Sequence, residues 1–82
     1  MPVESTVSHL DEAINELSDP SESQCELLRE HLESARIDLL GGMPEEYALS
    51  LRLALDAVNC IANRDRRQRV HRILKDLLAG RN

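Results

Sequence analysis

Apolar residues recur at alternating steps of three and four along most of the chain, which is the spacing of amphipathic α-helices. The first such segment predicts a helix over residues 4–18. Pro20 ends it, because proline disfavours helical geometry in the residue that precedes it. Its apolar stripe consists of Val3, Val7, Leu10, Ile14 and Leu17.

A second helix is predicted over residues 22–40. Two overlapping capping boxes, which begin at Ser21 and Ser23, indicate its start. The glycine pair at 41–42 ends it, because glycine adopts a left-handed backbone conformation without a steric cost. The apolar stripe of this helix consists of Cys25, Leu28, Leu32, Ala35 and Leu39.

The third predicted helix, over residues 44–62, is apolar around almost its whole circumference. Pro44 suits its first position, and Leu49 and Leu53 lie on a different side from the stripe that begins at Tyr47. A helix that is apolar all round is expected to be surrounded by protein. We therefore predict that this is the central helix, packed against helices of the same chain or of a second subunit. The polar residues beyond its first turn form one narrow stripe: Arg52, Asp56, Asn59 and Asn63.

A fourth helix is predicted over residues 66–79, with Asp65 as its N-cap. Ala62 and Ile73 remain in phase with Leu77, so one long helix that continues to residue 79 is an alternative. Short connections favour antiparallel neighbours. The chain therefore predicts a single all-α domain over residues 1–82, an antiparallel up-and-down bundle of three to four helices.

The composition favours a second subunit and a cytoplasmic location. The chain has one Tyr and neither Phe nor Trp, and a core without large aromatic residues buries less apolar area for each residue. A homodimer is therefore one expected partnership. The sequence contains no apolar run long enough to span a membrane and no signal-peptide pattern at its start. We expect a cytoplasmic protein with no membrane partner, whose two cysteines are reduced and buried.

An antiparallel hairpin of the second and third helices gives the cysteines an alternative. With the turn centred after Gly42, Cys25 lies level with Cys60, and a disulfide is possible if their Cα atoms lie within about 7 Å of each other. In the same register, two residues of the second helix each lie level with an oppositely charged residue of the third. Such pairs are typical of helices that pack in one defined register. These pairs are Arg29 with Asp56 and Glu33 with Arg52.

Charge is unevenly divided along the chain. Residues 1–46 carry a net charge of −10, whereas residues 47–82 carry +5. The favoured interpretation is intramolecular: the acidic half covers the basic last helix. The alternative is an external partner, either a protein or a nucleic acid bound by a helix-turn-helix that uses the last helix. An isoelectric point near 5.1 argues against the nucleic acid. The basic residues in question are Arg64, Arg66, Arg67, Arg69, Arg72 and Lys75.

Catalytic and cofactor motifs are not visible in the sequence. It lacks glycine-rich phosphate loops, metalloprotease histidine pairs and nucleophile elbows, and its cysteines match no zinc spacing. We therefore expect no enzyme, no cofactor and no metal, and predict a helical protein–protein interaction module. A nucleic-acid-associated regulator that uses the last helix is the alternative. The predicted partner-binding residues are Arg64, Arg66, Arg67, Arg69, Arg72, Leu49 and Leu53. An acidic side that suits a basic partner comprises Asp11, Glu12, Glu16, Glu22, Glu26, Glu30 and Glu33.

Overall fold

The computed structural model describes residues 3–80, which form an all-α bundle as predicted. Two short 3₁₀ helices, Pro20–Cys25 and Val58–Cys60, lie in the connections between the α-helices. The four α-helices are α1 (Val3–Glu16), α2 (Glu26–Leu40), α3 (Pro44–Asp56) and α4 (Arg64–Leu78).

Successive helices run in opposite directions. The N-terminal end of α2 lies beside the C-terminal end of α3, because Cys25 is linked to Cys60. The last turn of α1 lies beside the first turns of α4, because Glu16 pairs with Arg69. We call this end of the bundle, which holds residues 17–25 and 57–63, the loop end. The opposite end holds the turn at residues 41–43 and is called the hairpin end.

One continuous core lies between the four helices. Each helix contributes to it: Leu10 of α1, Leu32 of α2, Leu51 of α3 and Leu74 of α4 are completely shielded from solvent. Aliphatic side chains and alanines fill this interior without a large aromatic ring, as the composition predicts. The buried hydrophobic residues are Leu10, Ala13, Leu17, Cys25, Leu28, Leu32, Ala35, Leu51, Ala54, Val58, Ile61, Val70, Leu74 and Leu77.

The turn between α2 and α3 follows its sequence signal. Gly42 adopts a left-handed backbone conformation with φ of 70°. The amide of Met43 donates to the Asp38 carbonyl at 2.9 Å, and the amide of Gly42 donates to the Leu39 carbonyl at 3.3 Å. These two bonds form a Schellman motif, which satisfies carbonyls that the end of a helix leaves open.

The predicted start of the second helix is wrong. Residues 20–25 form a 3₁₀ helix instead, and Asp19 caps it by accepting a hydrogen bond from the Ser21 amide at 2.9 Å. The backbone leaves helical geometry at Glu22, where φ is −107° and ψ is 28°. This kink lies inside the 3₁₀ helix, and Cys25, with φ of −99° and ψ of 30°, separates that helix from α2. The α-helix therefore begins at Glu26 rather than at residue 22. The first helix likewise ends at Glu16, before residue 18.

The third helix is also shorter than predicted, and the long-helix alternative is wrong. It ends at Asp56, and Ile61 and Asn63 have extended backbone. The Asn63 side chain, rather than that of Asp65, caps α4 by accepting from the Arg66 amide at 2.9 Å.

Helices of this chain do not surround α3, so that form of the prediction is wrong, and cover by a second subunit stays a prediction. Leu51 and Ala54 are completely buried, but the side chains of Leu49 and Leu53 are 55% and 42% exposed. In a four-helix bundle each helix has two neighbours and the core, so its outer face stays open. The apolar residues on that face have no cover within the described part of the chain.

Candidate interaction surface

The structure divides the predicted partner-binding residues among three places. Leu49 and Leu53 lie on the outer face of α3, whereas Arg66 and Arg69 are bound to carboxylates at the loop end. The third place is the solvent side of α4, which holds Arg64 and Arg72, with the partly buried Arg67 at its edge.

Arg66 lies at the centre of a cluster of ion pairs. Its guanidinium pairs with Glu22 at 2.7 Å, with Glu16 at 3.3 Å and with Asp19 at 3.4 Å. Its side chain is only 16% exposed. These contacts raise the pKa of Arg66, chiefly through the hydrogen bond to Glu22. Arg66 is therefore not available to an external partner. We call this set the loop-end cluster: Glu16, Asp19, Glu22, Arg66 and Arg69.

Glu22 links the connection between α1 and α2 to the connection between α3 and α4. Its side chain is completely buried, and its carboxylate accepts from the amides of Ala62 at 2.7 Å and Asn63 at 3.3 Å. The hydrogen bond from the Ala62 amide is the largest cause that lowers the pKa of Glu22. A carboxylate that accepts several such bonds stays ionised.

Glu16 and Arg69 complete the cluster. Arg69 donates two hydrogen bonds to the Glu16 carboxylate, at 2.6 and 3.2 Å. The pKa of Glu16 is lowered, mainly by its hydrogen bond from Arg69, and the same bond raises the pKa of Arg69. The favoured interpretation of the charge asymmetry is thus confirmed for Arg66 and Arg69, which dock on acids of the first half. A helix-turn-helix whose recognition helix begins with these two arginines could not use them to contact DNA, because both are paired with carboxylates of the same chain.

Cys25 and Cys60 form a disulfide, so the expectation of reduced thiols is wrong and the alternative is confirmed. Their Cα atoms lie 5.5 Å apart, within the range for a bridge. The two charge pairs of the same register do not form. Arg29 instead donates to the Leu17 carbonyl at 2.7 Å, because its side chain points toward the residue that follows α1 rather than toward α3.

The other basic residues form a stripe on the solvent side of α4. Arg64, Gln68 and Arg72 recur every four residues and are exposed, with Lys75 one turn further. Arg67 lies at the edge of this stripe and is partly buried, since it donates to the Ile61 carbonyl at 3.2 Å. We call Arg64, Gln68, His71, Arg72 and Lys75 the basic stripe.

Exposed apolar side chains concentrate on α2, α3 and the turn between them. Six of the seven large exposed apolar residues among residues 3–80 lie there. Two of them, Leu40 and Met43, lie at the hairpin end. The others form what we call the outer α2–α3 face: Leu27, Ile37, Leu49 and Leu53.

A hydrogen bond sets two residues of this face, Ile37 of α2 and Leu49 of α3, at the same height. Leu27 lies ten residues before Ile37, about 15 Å away along α2. The Ser50 hydroxyl lies 3.2 Å from the Asp38 carboxylate, to which it donates. Ile37 and Leu49 are the chain neighbours of these two residues, so they lie near each other along the hairpin. Leu49 and Leu53 are four residues apart and share one face of α3. The outer face is therefore shared by two adjacent helices.

Exposed, unpaired carboxylates lie on the same two helices as the outer α2–α3 face. Arg52 is the one arginine on these two helices that no ion pair or hydrogen bond within residues 3–80 engages, because Arg36 pairs with Asp11 at 3.0 Å and Arg29 donates to the Leu17 carbonyl. The exposed acids of α2 and α3 make no ion pair within the described residues. These acids are Glu26, Glu30, Glu33, Glu45, Glu46 and Asp56.

Sequence reasoning found half of the outer face. It identified Leu49 and Leu53 because they lie off the stripe of α3, and the same signal was present in α2, where Leu27 and Ile37 lie off its stripe. The buried position of Glu22 had no such signal, because its partners are backbone amides 40 and 41 residues away.

Residues 3–80 contain no group of His, Cys, Asp and Glu side chains that could hold a metal ion. Within that range, each helix is too short or too polar to cross a bilayer. Comparisons with protein-family models, with curated protein sequences and with solved structures found no significant match.

Proposed function

We propose that this chain is a non-catalytic helical protein–protein interaction module that binds its partner through the outer α2–α3 face. The observation that carries the proposal is the exposure of four large aliphatic side chains on two adjacent helices, with Ile37 at 68% and Leu27 at 59%. Exposed apolar surface ringed by polar residues is typical of protein interaction sites. An adaptor, an antagonist, a chaperone or a regulatory subunit would use such a face.

Site-specific photo-crosslinking tests this proposal. A photoreactive amino acid replaces Leu53 in one version of the full chain and Glu12, an exposed residue of α1, in a matched control. We expect a discrete protein adduct in the native cell from position 53 and none from position 12. Equal adducts from both positions, or none from position 53, would contradict the proposal.

A nucleic-acid-associated regulator is the second candidate, supported by the basic stripe on α4. The exposed Arg64 and Arg72 of this stripe lie outside the loop-end cluster. Phosphate contacts from such residues make binding depend steeply on salt. Three features weaken this candidate: the internal ion pairs of Arg66 and Arg69, the acidic Asp76 four residues after Arg72, and the net charge of −5.

The two candidates respond differently to one double substitution. If the stripe binds duplex DNA, Arg64→Ala with Arg72→Ala should weaken binding and reduce the salt slope by roughly one for each arginine that touches a phosphate. If the outer α2–α3 face is the working surface, the same variant keeps its protein partner. No measurable duplex binding by the unmodified chain at low salt would remove the second candidate.

The predicted cytoplasmic location stays a prediction, and the disulfide makes it testable. Disulfides persist in oxidising compartments and are rare in the cytosol. Rapid alkylation of native cells, followed by mass spectrometry, should find free thiols at Cys25 and Cys60 if the location is a reducing one. An intact bridge would instead indicate an oxidising compartment.

A further inference from the structure

We infer that the partner of the outer α2–α3 face is a basic amphipathic helix of another protein. This inference rests on the proposed function and adds the chemistry of the partner. The apolar side chains lie on two antiparallel helices, and a third helix can pack along such a pair with apolar residues at three- and four-residue steps.

The charge of the residues on these two helices favours a partner of opposite charge. Six exposed carboxylates lie on the two helices that form the outer α2–α3 face, against the exposed guanidinium of Arg52. Residues 26–56 contain seven acids and three arginines, a net charge of −4, and two of those arginines are engaged elsewhere. Lysine and arginine side chains that flank an apolar stripe would meet these carboxylates, which favours association and suppresses acidic competitors.

The same charges argue against a second copy of this chain as the occupant. A two-fold interface places the same surface patch on both subunits. Glu30 lies seven residues before Ile37 on one face of α2, and Glu46 lies three residues before Leu49 on α3. In a symmetric dimer through this face, the carboxylates of both copies would lie in one interface, with few basic side chains to pair with them.

Three synthetic helical peptides and the full chain provide the test. The first peptide has a leucine stripe and lysines at its other positions, and the second replaces those lysines with glutamates. The third has the composition of the first but scattered leucines, so that no stripe forms. We expect the basic striped peptide to bind about tenfold or more tightly than either other peptide, and less tightly as salt rises.

Variants of the chain separate this face from general attraction. Leu49→Ser with Leu53→Ser, and separately Glu30→Lys with Glu46→Lys, should each weaken binding of the basic peptide about tenfold. Glu4→Lys with Glu12→Lys changes the net charge equally on α1 and should alter binding less than about threefold. All these positions are exposed, so unchanged circular dichroism and Tm will show that the variants fold.

Several results would overturn the inference. These are equal binding of the basic and acidic peptides, binding by neither, or no effect of the leucine and glutamate variants. Dimerisation in sedimentation that Leu49→Ser with Leu53→Ser abolishes would identify a second copy as the occupant instead. If a protein still crosslinks from position 53 in any of these cases, the interaction module stands and the basic partner is wrong. If that adduct is also absent, both proposals fail.

Discussion

At the loop end, side chains from distant parts of the sequence hold two long connections together, whereas at the hairpin end a short turn is held by its own backbone. The loop end uses the disulfide, the buried carboxylate of Glu22 and the guanidinium of Arg66. The hairpin end uses the left-handed Gly42 and two local hydrogen bonds.

The difference follows from the length of the connections. Each helix end leaves backbone groups without partners, and a short Schellman turn satisfies them locally. The longer connections at 17–25 and 57–63 leave more such groups open. Glu22 accepts from two amides there, Arg29 and Arg67 donate to carbonyls, and Gln24 donates to the Cys60 carbonyl at 2.9 Å. The hairpin end needs no such bonds, and its own apolar side chains remain uncovered.

The largest expected effect comes from removing the disulfide. Cys25→Ala with Cys60→Ala should reduce the free energy of unfolding by about 3–4 kcal/mol, because the bridge closes a long loop in the unfolded chain. Urea unfolding of both proteins measures it. Treating the unmodified chain with a reductant should give a similar decrease, and the double variant should not respond to that reductant. A decrease below about 1 kcal/mol would mean that the loop end does not depend on this bridge.

Glu22→Gln should have the next largest effect on stability, and it should also alter the pH dependence of stability. The pKa of Glu22 in the folded chain lies below its usual value of 4.5, mainly because of the Ala62 amide. A lowered pKa contributes stability above the unfolded pKa, and this contribution is lost as pH falls through the folded pKa. We expect a lower Tm at neutral pH for the variant and a weaker fall of Tm under acid. The exposed Glu45→Gln at the hairpin end is the control, and an equal effect of both would contradict the comparison.

A substitution at the hairpin turn should have a smaller effect. Gly42→Ala introduces a Cβ at φ of 70°, which costs about 1–2 kcal/mol because L-residues disfavour the left-handed region. Thermal unfolding should therefore show a Tm lowered by less than in the disulfide variant. Gly41→Ala, where φ is −84°, serves as the matched control. A decrease at Gly42 that exceeds the disulfide effect would reverse the order of the two ends.

The smallest effect is expected for the uncovered residues of the hairpin end. Leu40→Ser with Met43→Ser should change the free energy of unfolding by no more than about 0.5 kcal/mol for each substitution, because both side chains are already exposed. Urea unfolding of a dilute sample checks this. A larger decrease that grows with protein concentration would mean that a second copy covers this end.

Local properties of the amino acids were sufficient to predict four helices and most of their buried positions, although Val3 of the first predicted stripe is 47% exposed. The positions of Leu10, Leu28 and Leu74 in repeats of three and four residues indicated which sides face the core, and all three are completely buried. Gly42 and Pro44 marked the hairpin turn, because backbone freedom and the missing amide are intrinsic to those residues. Charge alone predicted that arginines of the last helix dock on the acidic half.

Long-range contacts decided the rest. Ser21 and Ser23 satisfied a local capping pattern, yet Glu22 is turned inward by amides far along the chain, so tertiary hydrogen bonds overrode the pattern. The apolar circumference of α3 predicted cover on all sides, but the number of neighbouring helices depends on how the whole chain packs. For that physical reason the sequence alone determined which residues of α3 are apolar, and only the tertiary structure decided that Leu49 and Leu53 face outward.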